Sequence, residues 1–326
     1  MKKRISIIGS GNMGTAMSLV LADNGYHVRC WDMNKKVVDS INRYHVNKVY
    51  LPGIKLPAKI VATTNIQEAV NFSNVLIFSV PSQFLRATLR MIPKADLEYE
   101  IIVNCAKGID LKTGQFMSQI IEEELGPHAH EVIADISGPS IANELSKKHM
   151  TAVIVASKNE KVLGFLQSIF NNDYFRVQTS TDVIGTELGG VMKNIYSIAV
   201  GLSDTLLDSM NTRALLLTQA LSEMTTLGLK LGATKDVFYS LSGIGDVIAT
   251  CLSRESRNYR FGQQLGKGKT VEEAHKKVKQ VVEGYFAAKA ISTLAKKHKV
   301  SLPLADNIYQ ILYNNKDPKK YLLRDL

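Results

Sequence analysis

Along the first half of the chain, short β-branched runs alternate with stretches whose apolar positions recur every three to four residues. Residues 4–8, 27–31, 60–63, 75–80, 101–104 and 132–136 read as strands. The stretches 12–24, 35–42, 82–92 and 113–124 carry helical periodicity, and residues 151–156 and 174–178 add two strands around a helix at 160–170. Such alternation predicts an α/β domain with a doubly wound parallel sheet. Beyond about residue 181 the texture changes to helices at 182–201, 212–231, 235–241, 283–298 and 303–314, with almost no strand signal. The expected division is therefore 1–181 for the sheet domain and 182–326 for an all-α C-terminal domain, with no Pro/Gly/Ser-rich linker between them.

Gly9-Ser10-Gly11-Asn12-Met13-Gly14 directly follows the first strand and opens the first helix. In G-x-G-x-x-G, the first glycine permits the tight turn, the second lets the backbone approach a pyrophosphate, and the third lets helix and strand pack closely. The phosphates then meet free N–H groups and the positive end of the helix dipole. This context makes the sheet domain a Rossmann-type dinucleotide-binding domain. Asp32 closes the second strand, where a carboxylate accepts from a free ribose diol, so NAD is favoured over NADP. Lys35 and Lys36 follow within reach of a 2′-phosphate, and Asp32 or Asn34 is equally suited to cap the next helix.

Further polar residues sit where ligands bind in such folds. Lys107, in Asn104-Cys105-Ala106-Lys107-Gly108, lies at the carboxyl end of a buried strand; Ser137-Gly138-Pro139-Ser140 repeats that placement with a hydroxyl and backbone N–H groups. A loop lysine and an ordinary N-cap are the plain readings. In the helical half, Gly189-Gly190 interrupts a helix at about 1 kcal/mol per glycine, and the missing side chains would let a flat ligand approach. Lys193 and Ser197 share a face of that helix, with Asn194 beside them. Lys193 is either a buried lysine with a task or a snorkelling surface one. Asp246, in Gly243-Ile244-Gly245-Asp246, can bind a substrate hydroxyl, orient an ammonium, or simply form a turn. Ser256-Arg257-Asn258 can present a guanidinium fork, a hydroxyl and an amide to a phosphate.

Composition changes this picture little. The 326 residues are 45% hydrophobic and 21% charged, which excludes a disordered chain. Apolar runs are too short for a membrane span, and the segment after the first basic residues is too short for a signal-peptide core. Three widely spaced cysteines, Cys30, Cys105 and Cys251, lack metal-ligand spacing, so no metal is expected and buried thiols in a reducing cytoplasm are. The net charge of +10 suits an anionic partner, but the basic residues are dispersed and no nucleic-acid module accompanies them.

Together these segments resemble the bacterial-type NAD(P)-dependent sn-glycerol-3-phosphate dehydrogenase family. The resemblance spans nearly the whole chain and includes Tyr50-Leu51-Pro52, Val80-Pro81-Ser82, Asn211-Thr212-Arg213-Ala214 and Gln280-Val281-Val282-Glu283-Gly284 besides the motifs above. It implies reduction of dihydroxyacetone phosphate to glycerol 3-phosphate, the head-group precursor of phospholipids, by a homodimer. Carried over by position, Lys193 matches the catalytic lysine, and Lys107 touches nucleotide and substrate. Gly138, Ser140, Asp246, Ser256, Arg257 and Asn258 match substrate contacts. Asn12, Met13, Tyr50, Ala142, Arg257, Val281 and Glu283 match nucleotide contacts. Asn12-Met13 departs from the usual Ser-Trp or Asn-Trp, Ile141 replaces a phenylalanine, and Asp32-Met33-Asn34 stands where members often carry arginine or histidine. The last departure agrees with the acidic-residue argument for NAD.

In this reading Lys193 protonates the alkoxide left by hydride addition, with its pKa lowered by burial and by Lys107, while Arg257 holds the phosphate. It requires the Lys193 and Arg257 cations to face one site. The alternatives are a related Rossmann/helical-domain dehydrogenase of the 6-phosphogluconate or 3-hydroxyisobutyrate type, and a non-catalytic NAD-binding redox sensor.

Overall fold

The strands 4–8, 75–78 and 101–104 have no polar outward face to spare: nearly every residue is buried, as in a sheet covered on both sides. The computed structural model describes residues 3–93 and 99–326. It divides into two units. One comprises Met1–Ala106, Met117–Ile136 and Ser140–Val183; the other comprises Lys107–Phe116, Ser137–Pro139 and Ile184–Leu326. The division therefore departs from a single cut at 181/182, because two short segments that follow strands are built into the helical unit.

The first unit holds an eight-stranded sheet: β1 (Arg4–Ile8), β2 (His27–Trp31), β5 (Ile60–Thr63), β6 (Val75–Phe78), β7 (Ile101–Asn104), β8 (Ile133–Ser137), β9 (Thr151–Ala156) and β10 (Phe175–Ser180). The order is β10-β9-β8-β7-β6-β1-β2-β5. β1 pairs parallel with both β2 and β6, so the order reverses beside the strand that feeds the glycine turn. Ligands of doubly wound sheets bind at such a switch point. The pleat sends alternate residues to opposite cores. Val75 and Ile77 join one with α1 (Asn12–Asp23), α2 (Lys35–Tyr44) and α7 (Glu160–Phe170); Leu76 and Phe78 join the other with α3 (Ile66–Val70), α4 (Ser82–Arg90) and α5 (Met117–Leu125).

Two local departures have physical causes. Residues 46–55, unassigned by periodicity, form an antiparallel hairpin of β3 (Val46–Asn47) and β4 (Leu51–Lys55). The helix expected at 113–124 begins only at Met117. Before it, the Asp110 carboxylate accepts from the Lys112 and Thr113 N–H groups, and Ile109 bridges Phe116, closing a turn that competes with the helix.

The second unit is helical: α8 (Val183–Leu206), α9 (Met210–Lys230), α10 (Lys235–Phe238), α11 (Asp246–Leu252), α12 (Arg257–Gly266), α13 (Val271–Val278), α14 (Glu283–His298), α15 (Pro303–Tyr313) and α16 (Pro318–Tyr321). The α8 residues from 185 to 203 are buried on every side, which explains its lack of a polar stripe. Buried Glu223 of α9 accepts from the Leu304 and Ala305 N–H groups at the start of α15 and from the Tyr196 hydroxyl of α8. One carboxylate thus satisfies a helix terminus and ties three helices together.

Candidate functional site

In the sheet unit, each motif glycine has a separate steric reason. Gly9 has φ of +109°, and a Cβ there would lie 2.8 Å from the Ser79–Val80 backbone; one at Gly14 would lie 1.9 Å from the Gly9 carbonyl oxygen. A Cβ at Gly11 would meet nothing within 4 Å, so open space fronts the first turn of α1. That gap and the N–H groups behind it fit a dinucleotide pyrophosphate.

The remaining nucleotide candidates of this unit gather around the turn. Asn12 donates from Nδ2 to the Tyr50 carbonyl at 2.8 Å. Met13 and Ala142 pack against the same hydrophobic core, and Ala142 opens α6 (Ala142–Ser146) just after Ser140. Asp32 accepts from the Asn34 N–H at 2.8 Å, while Asn34 itself caps α2. Burial pushes the Asp32 carboxyl pKa up, opposed by the Asn34 and Ser10 N–H groups, so this carboxylate adjoins the glycine turn. Asn47 was missed by motif reading. Fully buried, it donates to the Ser10 carbonyl and to the Thr15 hydroxyl, each at 2.8 Å, and so braces the turn from the hairpin.

In the helical unit, Lys193 of α8 is 8% exposed and forms an ion pair with Asp246, the first residue of α11 and 1% exposed. Lys107 reaches the other oxygen of Asp246 at 2.8 Å, and the Gly138 N–H donates to that oxygen at 3.3 Å. Thr250, one turn along α11, donates its hydroxyl to Asp246 Oδ1 at 3.2 Å. The i, i+4 spacing was the available signal for it. Burial lowers the Lys193 pKa to about 7, with Asp246 opposing and Lys107 reinforcing the shift. Burial pushes Asp246 upward, but Lys107 and Lys193 outweigh it and hold the carboxyl below its usual range. The arrangement is a buried amine poised to give or take a proton near neutrality, beside a second cation.

Gly189 and Gly190 serve protein packing, where an opening for a flat ligand was expected. A Cβ at Gly189 would lie 2.3 Å from the Ser242 carbonyl oxygen, and one at Gly190 would lie 2.8 Å from Ser137 Oγ.

The Ser256-Arg257-Asn258 segment starts α12 and is fastened to α8 beside Lys193. Ser256 Oγ caps α12 and shares a 2.9 Å hydrogen bond with Ser197 Oγ. Asn258 donates to Asn194 Oδ1 at 2.8 Å and accepts from the Gly284 N–H at 2.9 Å. Its amide thus clamps α12 to α8 and α14 within the helical unit, with one N–H and one oxygen lone pair beyond these two bonds. Arg257, between them, has an accessible side chain; crowding by protein atoms lowers its pKa, and Glu283 at the start of α14 opposes this. Val281 is half-buried just before α14.

Comparison with known proteins agrees over both units. The family models described as the NAD-dependent glycerol-3-phosphate dehydrogenase N-terminus and C-terminus match residues 4–163 and 182–323. A glycerol-3-phosphate dehydrogenase (NAD(P)+) of Listeria innocua is 39% identical over 98% of this chain and 94% of its own length. One from Fusobacterium nucleatum is 40% identical over 96% and 93%. A crystal structure of glycerol-3-phosphate dehydrogenase from Coxiella burnetii superposes with a TM-score of 0.92 at 34% identity, covering 98% of this chain and 97% of that one. With both family models matched and near-complete coverage on either side, the chain belongs to the NAD-dependent glycerol-3-phosphate dehydrogenase family.

Proposed function

We propose that this chain catalyses the reversible reduction of dihydroxyacetone phosphate to sn-glycerol 3-phosphate, with Lys193 as the proton donor. The observation that carries the assignment is the buried carboxylate of Asp246 gripped by two lysines, Lys193 and Lys107. When bound at the glycine turn, NAD(P)H supplies the hydride. Gly9, Gly11, Asn12, Met13, Gly14 and Tyr50 are the residues that would hold it. Lys193 delivers a proton to the substrate oxygen as negative charge develops there, and Lys107 adds electrostatic stabilisation. Asp246 keeps both ammonium groups in place. The accessible guanidinium of Arg257 takes the phosphate, using remote binding energy for orientation. The same residues return the proton in the oxidative direction.

The test is oxidation of NADH and NADPH dependent on dihydroxyacetone phosphate. Lys193→Ala should lower kcat by at least ~100-fold, the lower range for a positioned acid–base group, while nucleotide binding persists. Near-normal turnover of that variant would remove Lys193 from the chemistry. The Asp32 carboxylate beside Ser10 supports NADH as the better cofactor, since a 2′-phosphate would meet like charge there. Equal or better kcat/KM with NADPH would overturn that preference.

Two wider features belong to the same proposal. Cys30 and Cys251 are buried free thiols, which supports a reducing, cytoplasmic setting. Among the described residues no helix is long and apolar enough to cross a membrane. The exposed positions of α9 include Met210, Leu215, Thr218, Ser222 and Thr226, while Arg213 is paired with Asp204 and Glu223 is buried. Apart from Lys230 at the end of α9, its exposed positions carry no charge, which supports a homodimer. Sedimentation should give a dimer that Leu215→Glu dissociates; a monomeric wild type would exclude it.

A further inference from the structure

Gly190 and Ser137 come from segments far apart in sequence and touch where the helical unit assembles its charged cluster. Ser137 is 3% exposed, and its hydroxyl has no hydrogen-bond partner among the described residues. A buried hydroxyl left unpaired is unfavourable, so packing holds it there. The Cβ that Gly190 lacks would lie 2.8 Å from Ser137 Oγ, and 3.4 and 3.5 Å from Lys107 Cδ and Cγ. Gly190 also precedes Lys193 by three positions on α8, which puts both on one side of the helix. Ser137 is joined to Gly138, whose N–H donates to Asp246 and whose carbonyl accepts from Lys107 Nζ at 3.5 Å.

We infer that the Gly190–Ser137 contact is a positioning device for the reaction: the absent side chain sets how closely α8 approaches the 137–138 segment and the Lys107 stem, and so fixes both lysines against Asp246. A methyl group at 190 has two neighbours to displace. Pushing Ser137 moves the Gly138 N–H away from Asp246; pushing Lys107 moves its ammonium. Either way Lys107 acts less strongly on Lys193. The other titratable groups facing Lys193 are Asp246 and Cys251, both on α11, and burial raises the Cys251 pKa so that it stays a neutral thiol.

The inference rests on Lys193 as proton donor, and its test is separable from that reading. Gly190→Ala is measured with Ser137 present and in a Ser137→Ala background, which removes the obstructing oxygen. With Ser137, kcat/KM should fall by about 100-fold, the loss that a ~1 Å misplacement produces. With alanine at 137, the same substitution should cost less than about fivefold, because the coupled pair is relieved together. The alkaline limb of the reductive pH profile should move upward in Gly190→Ala, since Lys107 no longer depresses the Lys193 pKa, and return in the double variant. If Gly190→Ala alone does not fold, recovery of folded, active enzyme by Ser137→Ala supports the contact. Equal losses in both backgrounds, an unmoved pH limb, or failure to fold in both would overturn it. Failure of the proton-donor reading is seen separately, as retained turnover in Lys193→Ala.

Discussion

Asp246 carries one negative charge between two ammonium groups, and its removal has a defined sign. In Asp246→Asn the attraction that holds a proton on Lys193 is gone, while burial and the Lys107 charge still favour the neutral amine. Reduction needs Lys193 protonated, so its rate falls as pH rises through that pKa. The variant should therefore lose activity at lower pH than the wild type, with kcat/KM at pH 7 reduced by at least ~10-fold. A pH–rate profile checks this; an unchanged or upward-shifted limb would show that Asp246 does not govern the lysine. At this scale the sequence singled out Lys193, Lys107, Gly138 and Asp246, and the structure brings them together around one carboxylate. It gave no role to Thr250, to the packing of Ser137 against Gly190, or to the hydrogen bond between Asn258 and Asn194. Ser137 and Asn258 meet partners far away in the chain, Gly190 and Asn194, whereas Thr250 lies one helical turn from Asp246, a spacing that any helix offers.

Elements were legible in proportion to how much of their energy is local. The strands of the buried sheet and the helices at Glu160–Phe170 and Glu283–His298 follow from continuous apolar runs and 3.6-residue periodicity. The hairpin Val46–Asn47 with Leu51–Lys55 did not, since it is short and is held by tertiary hydrogen bonds. Its anchor is Asn47, which satisfies the Ser10 carbonyl and the Thr15 hydroxyl inside the protein. In Asn47→Ala these acceptors lose a buried donor, at a cost of roughly 1–3 kcal/mol. The glycine turn is the structure they brace, so the expected consequence is weaker nucleotide binding, by about tenfold for each ~1.4 kcal/mol that bears on the site. Titration calorimetry with NADH checks it. Unaltered affinity with lowered thermal stability would assign Asn47 to folding alone.

At the scale of the whole molecule, the amine that serves catalysis works against stability. Folding lowers the Lys193 pKa from an ordinary 10.5 to about 7. Between those values the unfolded chain binds a proton that the folded chain does not, so stability rises with pH across that window. Below about pH 7 both states are protonated, and the folded state bears the full penalty of a buried ammonium. Lys193→Met removes this titration while filling similar space. The difference in unfolding free energy, wild type minus Lys193→Met, should therefore climb between pH 7 and 10 with a slope of at most ~1.4 kcal/mol per pH unit, the limit for one proton. Groups common to both proteins largely cancel in the difference, which isolates the lysine. Urea unfolding at several pH values measures it. A flat difference would mean that Lys193 keeps its proton throughout this range in the folded protein, and an amine held so firmly could not exchange one near neutrality. The stability measurement, made without substrate or nucleotide, thus bears directly on the chemistry assigned to the site.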